Sequence, residues 1–165
     1  MRILGIDPGS RVTGYGVIDY EAGRLRHVAH GCLRLDGRDF NLRLAGIFSG
    51  LNTVIDDFAP QEIAIERVFV HRNVDSALRL GHARGAAICA VVAHRLPISE
   101  YTPREVKQGI AGYGAAEKGQ VAQMVARLLA LAAEPESDAA DALAIAVHHA
   151  HGQGLRGRLR AHGAG

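Results

Sequence analysis

Apolar residues recur along this chain with two different periods, and the changes of period mark out its elements. Residues 2–7, RILGID, form a short apolar run closed by Pro8-Gly9, the pattern of a buried strand that ends in a turn. Residues 13–20 and 25–35 are further strand candidates, separated by a turn around Glu21-Ala22-Gly23, and together the three predict an antiparallel meander. The period then lengthens. Over 39–58, Leu42, Leu44, Ile47, Leu51, Val54, Ile55 and Phe58 trace one helical face that Pro60 ends. EIAIE at 62–66 predicts a fourth, buried strand, and 97–102 a fifth.

Between these two strands, 75–95 is helical in pattern, and Gly81, Ala83, Gly85, Ala86 and Ala87 give it little side-chain bulk. Another backbone can come close to such a surface, either the sheet or a second subunit. Pro103 suits the first turn of a short helix. The glycine-rich stretch GIAGYGAAEKG, 109–119, is expected to be mobile, 121–131 to be helical, and Ser137 to cap a last helix ending near Ala150. After His151 a disordered tail is expected, so the chain divides into a domain over 1–151 and a flexible basic tail over 152–165. The element order predicts an α/β chain with a mixed five-stranded sheet: a three-strand antiparallel meander plus two parallel strands, flanked by helices.

Length narrows this to one domain, since 165 residues can bury one core and are few for two. Arg2 and Asp7 interrupt any leader-like apolar start, and no apolar run approaches the ~20 residues that span a bilayer. Cys32 and Cys89, with no CxxC pair, are expected to be small buried residues. These features fit a cytoplasmic protein. Charge adds a polarity. Residues 67–127 carry nine Arg/Lys against four acids, net +5, while the rest carries ten against thirteen, net −3. A basic middle suits a phosphate-backbone ligand, though solvated helix faces produce similar imbalances.

The candidate chemistry lies in four acids. Open α/β sheets place ligands beyond the carboxyl ends of their strands. Asp7 ends the first strand candidate and Glu66 the fourth, so both reach that rim if the two strands are neighbours. Asp138 and Asp141 stand three apart at the start of a helix, on one face, where the helix dipole favours the ionised form. Two carboxylates at ~4 Å repel by about 1 kcal/mol in water and about 4 at an effective dielectric of 20. A cluster of four therefore calls for a cation, and oxygen-only donors point to Mg²⁺ or Mn²⁺ rather than Zn²⁺. Two ions ~3.5–4 Å apart suit an in-line phosphoryl displacement. Taken singly, each acid reads more readily as a capping or surface residue.

The motifs IDPGSRVTGYGVI (6–18), IERVF (65–69), NVDSALRLGHARG (73–85), VKQ…GYGAAEKGQV (106–121) and DAADALAIA (138–146) are collinear over roughly 1–151. They resemble the RuvC family of Holliday junction resolvases. The resemblance implies an RNase H-like fold, a homodimer, Mg²⁺- or Mn²⁺-dependent cleavage of four-way DNA junctions, and work alongside a RuvA–RuvB branch-migration complex. It places the family's acidic quartet on Asp7, Glu66, Asp138 and Asp141. The family pattern also allows His at the third of these positions, which here is Asp.

By the same resemblance Phe69 contacts bases, Arg72 and Asn73 lie near the DNA strand, and Lys107 and Lys118 are the functional lysines. Phe69 in a short loop could stack on an unpaired base, or pack in the core beside Val68 and Val70. Lys107 and Lys118 are the chain's only lysines, among seventeen arginines. Either could offset charge developing on a phosphate. Gly9, Gly14 and Gly16 could admit a DNA backbone, or serve turns and strand packing. His148, His149 and His151 are expected as cations at a helix end, and His71 as an exposed loop residue.

Two rivals remain at this stage. Actin-like and sugar-kinase ATPases share an Asp-x-Gly loop after the first strand, but the second glycine-rich phosphate loop they need is missing. A junction-binding module without catalysis would be expected to have lost one of the four acids, and all four are present.

Overall fold

A computed structural model describes residues 1–35, 39–67 and 73–162. In chain order the elements are β1 (Arg2–Asp7), β2 (Val12–Glu21), β3 (Arg24–Arg34), α1 (Phe40–Phe58), β4 (Glu62–Glu66), α2 (Val74–Ala93), β5 (Ile98–Tyr101), α3 (Pro103–Ala111), α4 (Lys118–Leu128) and α5 (Ser137–His162). The sheet order is β3-β2-β1-β4-β5. β1, β2 and β3 form the expected antiparallel meander, and β4 and β5 run parallel to β1. Ala22 and Gly23 both take positive φ, 48° and 81°, which turns β2 tightly into β3.

Strand parity sorts the two faces. Leu4, Ile6, Val17, Ile63 and Ile65 point into one core with α1 and α2, while Ile3, Ile18 and Ala64 point into another with α3, α4 and α5. Helix α5 is buried almost all round, from Ala142 through Val147 at 2% exposure or less. It lies directly on β1 and β2 because that strip of sheet carries no side chains. A Cβ added at Gly5 would collide with the Ala142 carbonyl oxygen, one at Gly14 with the Asp138 carbonyl oxygen, and one at Gly16 with Leu143. Gly14 and Gly16 thus serve strand packing, and a Cβ at Gly9 would meet Val12, so the close approach these glycines allow is intramolecular.

Several expectations change here. Segment 109–119 is divided between the end of α3, a turn, and the start of α4. Helix α4 begins three residues before the expected 121 and ends at Leu128. Ser137 is already helical, and the first α5 hydrogen bond runs from the Ala140 N–H to the Glu136 carbonyl at 2.8 Å. The backbone of α5 continues to His162. The histidines therefore sit within a helix, and His149, 1% exposed, is held by Tyr101 at 2.8 Å and Glu62 at 2.5 Å. Cys32 is half-buried and Cys89 is exposed, because Cys89 falls on the outer face of α2. His71 lies outside the described residues. Among the described residues, no helix is long and apolar enough to cross a membrane.

Candidate active site

Register and parity bring the acids together. Ile6 pairs with Ile65 in the parallel β1–β4 ladder, so Asp7 and Glu66 leave the sheet side by side. Asp7 shares the parity of Ile3 and Gly5, and Glu66 that of Ala64, so both carboxylates face α5. Helix α5 brings Asp138 and Asp141 in its first turns to the same rim, seated there by the missing side chain at Gly14.

The electrostatics report the clustering. Burial, then the Glu66 carboxylate, then Asp141 and Asp138, push Asp7 up to about 9. Burial also raises Glu66, and Asp141 adds to this, while the hydrogen bond from Asp7 and the charges of Lys118 and Lys107 oppose it. Both shifts run upward, and the two carboxyls are hydrogen-bonded to one another. Lys118 Nζ donates to Asp141 Oδ2 at 2.7 Å, which holds the ammonium above the usual lysine range.

Asp7, Glu66, Lys107, Lys118 and Asp141 line one cleft of about 240 Å³, floored by Val106, Val121 and Ile145. Asp138 is not among its walls, but its charge is felt at Asp7. A wider groove of about 900 Å³ opens at the other end of β1. Its charges are mainly arginines, and Asp19 there is already paired with Arg2 and Arg26, so it offers no free carboxylate cluster.

Among the described residues, no three His, Cys, Asp or Glu side chains form a ready-made metal cage. The Lys118 ammonium on Asp141 offsets part of the negative charge, and burial with mutual repulsion raises both Asp7 and Glu66. The donor set nevertheless fits a hard divalent cation. It is all oxygen, and its mutual repulsion is strong enough to hold a carboxyl proton to about 9, which a cation can displace. Lys118→Met tests the stand-in role. Cleavage should fall by about 10²-fold, the scale of losing one preorganised charge donor. Without divalent ions the variant should melt lower than wild type, and divalent ions should narrow that gap. Equal melting in chelator would remove Lys118 from this account.

Asn73 has a structural occupation, since its side chain caps α2 by accepting from the Ser76 N–H at 3.2 Å. Phe69 and Arg72 lie outside the described residues. One contact at this site escaped the sequence reading altogether: Arg84 of α2, from eighteen positions away, donates to the Glu66 backbone carbonyl. No periodicity or spacing signals such a bond.

Comparison with known proteins agrees with this geometry. The family model described as "Crossover junction endodeoxyribonuclease RuvC" matches residues 3–149. The crossover junction endodeoxyribonuclease RuvC of Burkholderia multivorans is 55% identical over 152 residues, 92% of this chain and 84% of that protein. The Thermus thermophilus RuvC structure is 35% identical, with a TM-score of 0.81 over 91% of this chain and 93% of that one. The same protein in complex with a Holliday junction substrate superposes with a TM-score of 0.84 at the same coverage.

Proposed function

The chain belongs to the RuvC family of crossover junction endodeoxyribonucleases, and on that premise we propose that its four acids form the centre that cuts four-way DNA junctions during recombination and repair. The observation that carries the assignment is the convergence of Asp7, Glu66 and Asp141 with Lys107 and Lys118 on one cleft at the rim of the sheet, where burial and the neighbouring carboxylates raise Asp7. A hydrolytic site for a polyanion needs such a cluster to gather cations, and a basic surround to receive phosphate. Lys107 and Lys118 supply that surround within the cleft itself.

In this reading Asp7, Glu66, Asp138 and Asp141 would hold one or two Mg²⁺ or Mn²⁺ ions. When bound, these supply Lewis acidity to the phosphodiester and its attacking water. The chain's own groups do the rest. With a cation held there, Asp7 would be ionised, its proton passing to solvent, Glu66 and Asp141 would face the cation as carboxylates, and Lys118 would stand beside them as a cation for the DNA phosphates. Lys107 lines the same cleft and adds a second positive charge. Phe69, Arg72 and Asn73 are assigned to the DNA strand by family resemblance. The products are 5′-phosphate and 3′-hydroxyl ends. The nuclease domain is taken as 1–151, with 152–165 an appended basic segment, and the protein is placed in the cytoplasm beside a RuvA–RuvB branch-migration complex.

A four-way junction has approximate two-fold symmetry, so one site per chain calls for a C2 dimer. Helix α2 suits its interface: Leu78 and Val92 are 59% exposed, and a Cβ at Gly81 or Gly85 would meet nothing within 4 Å. Gly85→Arg should convert the dimer to monomer by light scattering and abolish paired cutting. A variant that stays dimeric moves the interface elsewhere. The activity itself is read by incubating wild type and Asp7→Asn with a synthetic four-way junction and Mg²⁺. If both cut equally, the reading fails.

A further inference from the structure

Helix α2 reaches the active site through one side chain. Arg84 Nε donates to the Glu66 backbone carbonyl at 3.1 Å. Its Nη2 lies 2.9 Å from Glu100 Oε2 on β5, and Arg67 approaches the same carboxylate at 3.5 Å. The Nη2 atom is buried and meets Glu100 off the hydrogen-bond axis, so this second contact is an ion pair. The Arg84 side chain is only 19% exposed, while Glu100 is 38% exposed.

The position of that carbonyl matters. Glu66 pairs with Tyr101 at the last rung of β4–β5, and the Arg67 N–H closes the ladder on the Tyr101 carbonyl at 2.7 Å. On the β1 side the ladder stops one residue earlier, at Ile65. The Glu66 carbonyl thus stands where the chain leaves the sheet, and a bond to it holds the peptide plane, and with it the Cα from which the Glu66 side chain projects. A guanidinium fixes it more firmly than a neutral donor, because a charge-assisted hydrogen bond is roughly twice as strong. The planar fork also lets one residue hold the carbonyl and Glu100 at once, which a single ammonium does poorly.

We propose that Arg84 is a positioning residue that clamps the end of β4 so that the Glu66 carboxylate faces Asp7, linking the catalytic rim to α2. The inference rests on the active-site reading above. It deepens that reading by assigning a role to a side chain that acts through the Glu66 backbone. It also makes α2 carry two functions, the bare Gly81–Gly85 surface outward and the Glu66 clamp inward.

Arg84→Met removes both contacts and keeps the apolar stem. Two measurements precede any cleavage assay: the Mn²⁺ concentration that half-maximally raises the melting temperature without DNA, and junction affinity in Ca²⁺. The variant should need about ten-fold more Mn²⁺, and its single-turnover cleavage should fall by at least as much, the scale of losing an outer-shell partner. Junction affinity in Ca²⁺ should be unchanged, and Arg84→Lys should recover part of the rate.

A wild-type Mn²⁺ midpoint overturns the proposal, and so does a loss of junction affinity equal to the loss of cleavage. Should Arg84→Met fail to fold, Glu100→Gln weakens the ion pairs to Arg84 Nη2 and Arg67 while leaving the bond from Nε, and should move the Mn²⁺ midpoint in the same direction. An unmoved midpoint there counts equally against the clamp. If wild type itself cuts no junction, the functional reading fails, while the Mn²⁺ midpoints still decide the role of Arg84.

Discussion

Replacing Asp7 with Asn is expected to abolish junction cleavage and, at pH 8 in chelator, to raise the melting temperature above that of wild type. The two effects have one source. Burial and three carboxylate neighbours push the Asp7 carboxyl up to about 9, against an ordinary value of 3.8. A group whose folded-state value is raised contributes stability that is fully present below the unfolded value and lost as pH rises toward the folded one. Between about pH 4 and 9 the unfolded chain has released this proton and the folded chain has not. Stability therefore drains away at up to about 1.4 kcal/mol per pH unit.

Asn is neutral and nearly isosteric, so the variant does not share that loss. A gap of only about 2 kcal/mol corresponds to about 4–8 °C in a domain of this size. The melting difference should widen steadily from pH 5 to 9. Mn²⁺ should stabilise wild type strongly and the variant weakly, since binding to the native state alone raises stability by mass action. Cleavage should drop by at least about 10³-fold, because residues that act as a unit fail together. An Asp7→Asn protein that melts lower than wild type at pH 8 in chelator would show that the carboxylates do not repel one another as described.

Gly14→Ala is expected to be nearly as damaging, although it adds one methyl group on a strand and touches no catalytic atom. The added Cβ runs into the Asp138 carbonyl oxygen, so α5 must lift from the sheet at its first turn. Overpacking of this kind costs about 1–3 kcal/mol. The larger effect falls on the chemistry. Asp138 and Asp141 travel with that turn, and a displacement of ~1 Å at a reacting centre costs roughly 10²-fold in rate. Gly152→Ala on the same helix is the control. A Cβ there meets nothing within 4 Å, so the variant should be neutral or gain about 0.5–1 kcal/mol from helix propensity. Retention of full activity and melting temperature by Gly14→Ala would mean that α5 does not lie as close to β2 as placed.

Much of this is legible in the sequence alone. The apolar run 2–7, the hairpin signal at Ala22-Gly23 and the run 62–66 became β1, the β2–β3 turn and β4 with almost unchanged bounds. Alternation and turn chemistry are local, and they survive folding. The less legible parts depended on distant partners. Helix α5 runs well past Ala150, and its His149 is buried at 1% exposure. A triad of histidines near Ala150 read as a helix end because the contacts of His149 with Glu62 and Tyr101, each more than forty residues away, leave no local pattern. Gly9, Gly14 and Gly16 could be read as room for a DNA backbone or as serving turns and strand packing, and what needs the room is the turn to Val12 at Gly9 and the protein's own last helix at Gly14 and Gly16.

By itself the sequence determined the types of the elements, their order, and which side chains could hold a hard cation. Those are properties of spacing and donor chemistry. Only the tertiary structure decided that Asp7 and Glu66 are neighbours facing α5, that Lys118 pairs with Asp141 beside them, and that Arg84 holds the Glu66 carbonyl. Each of these depends on strand pairing and strand parity across separations of tens of residues. No local pattern carries that information, because the energy that selects a register is shared by the whole sheet and both of its cores.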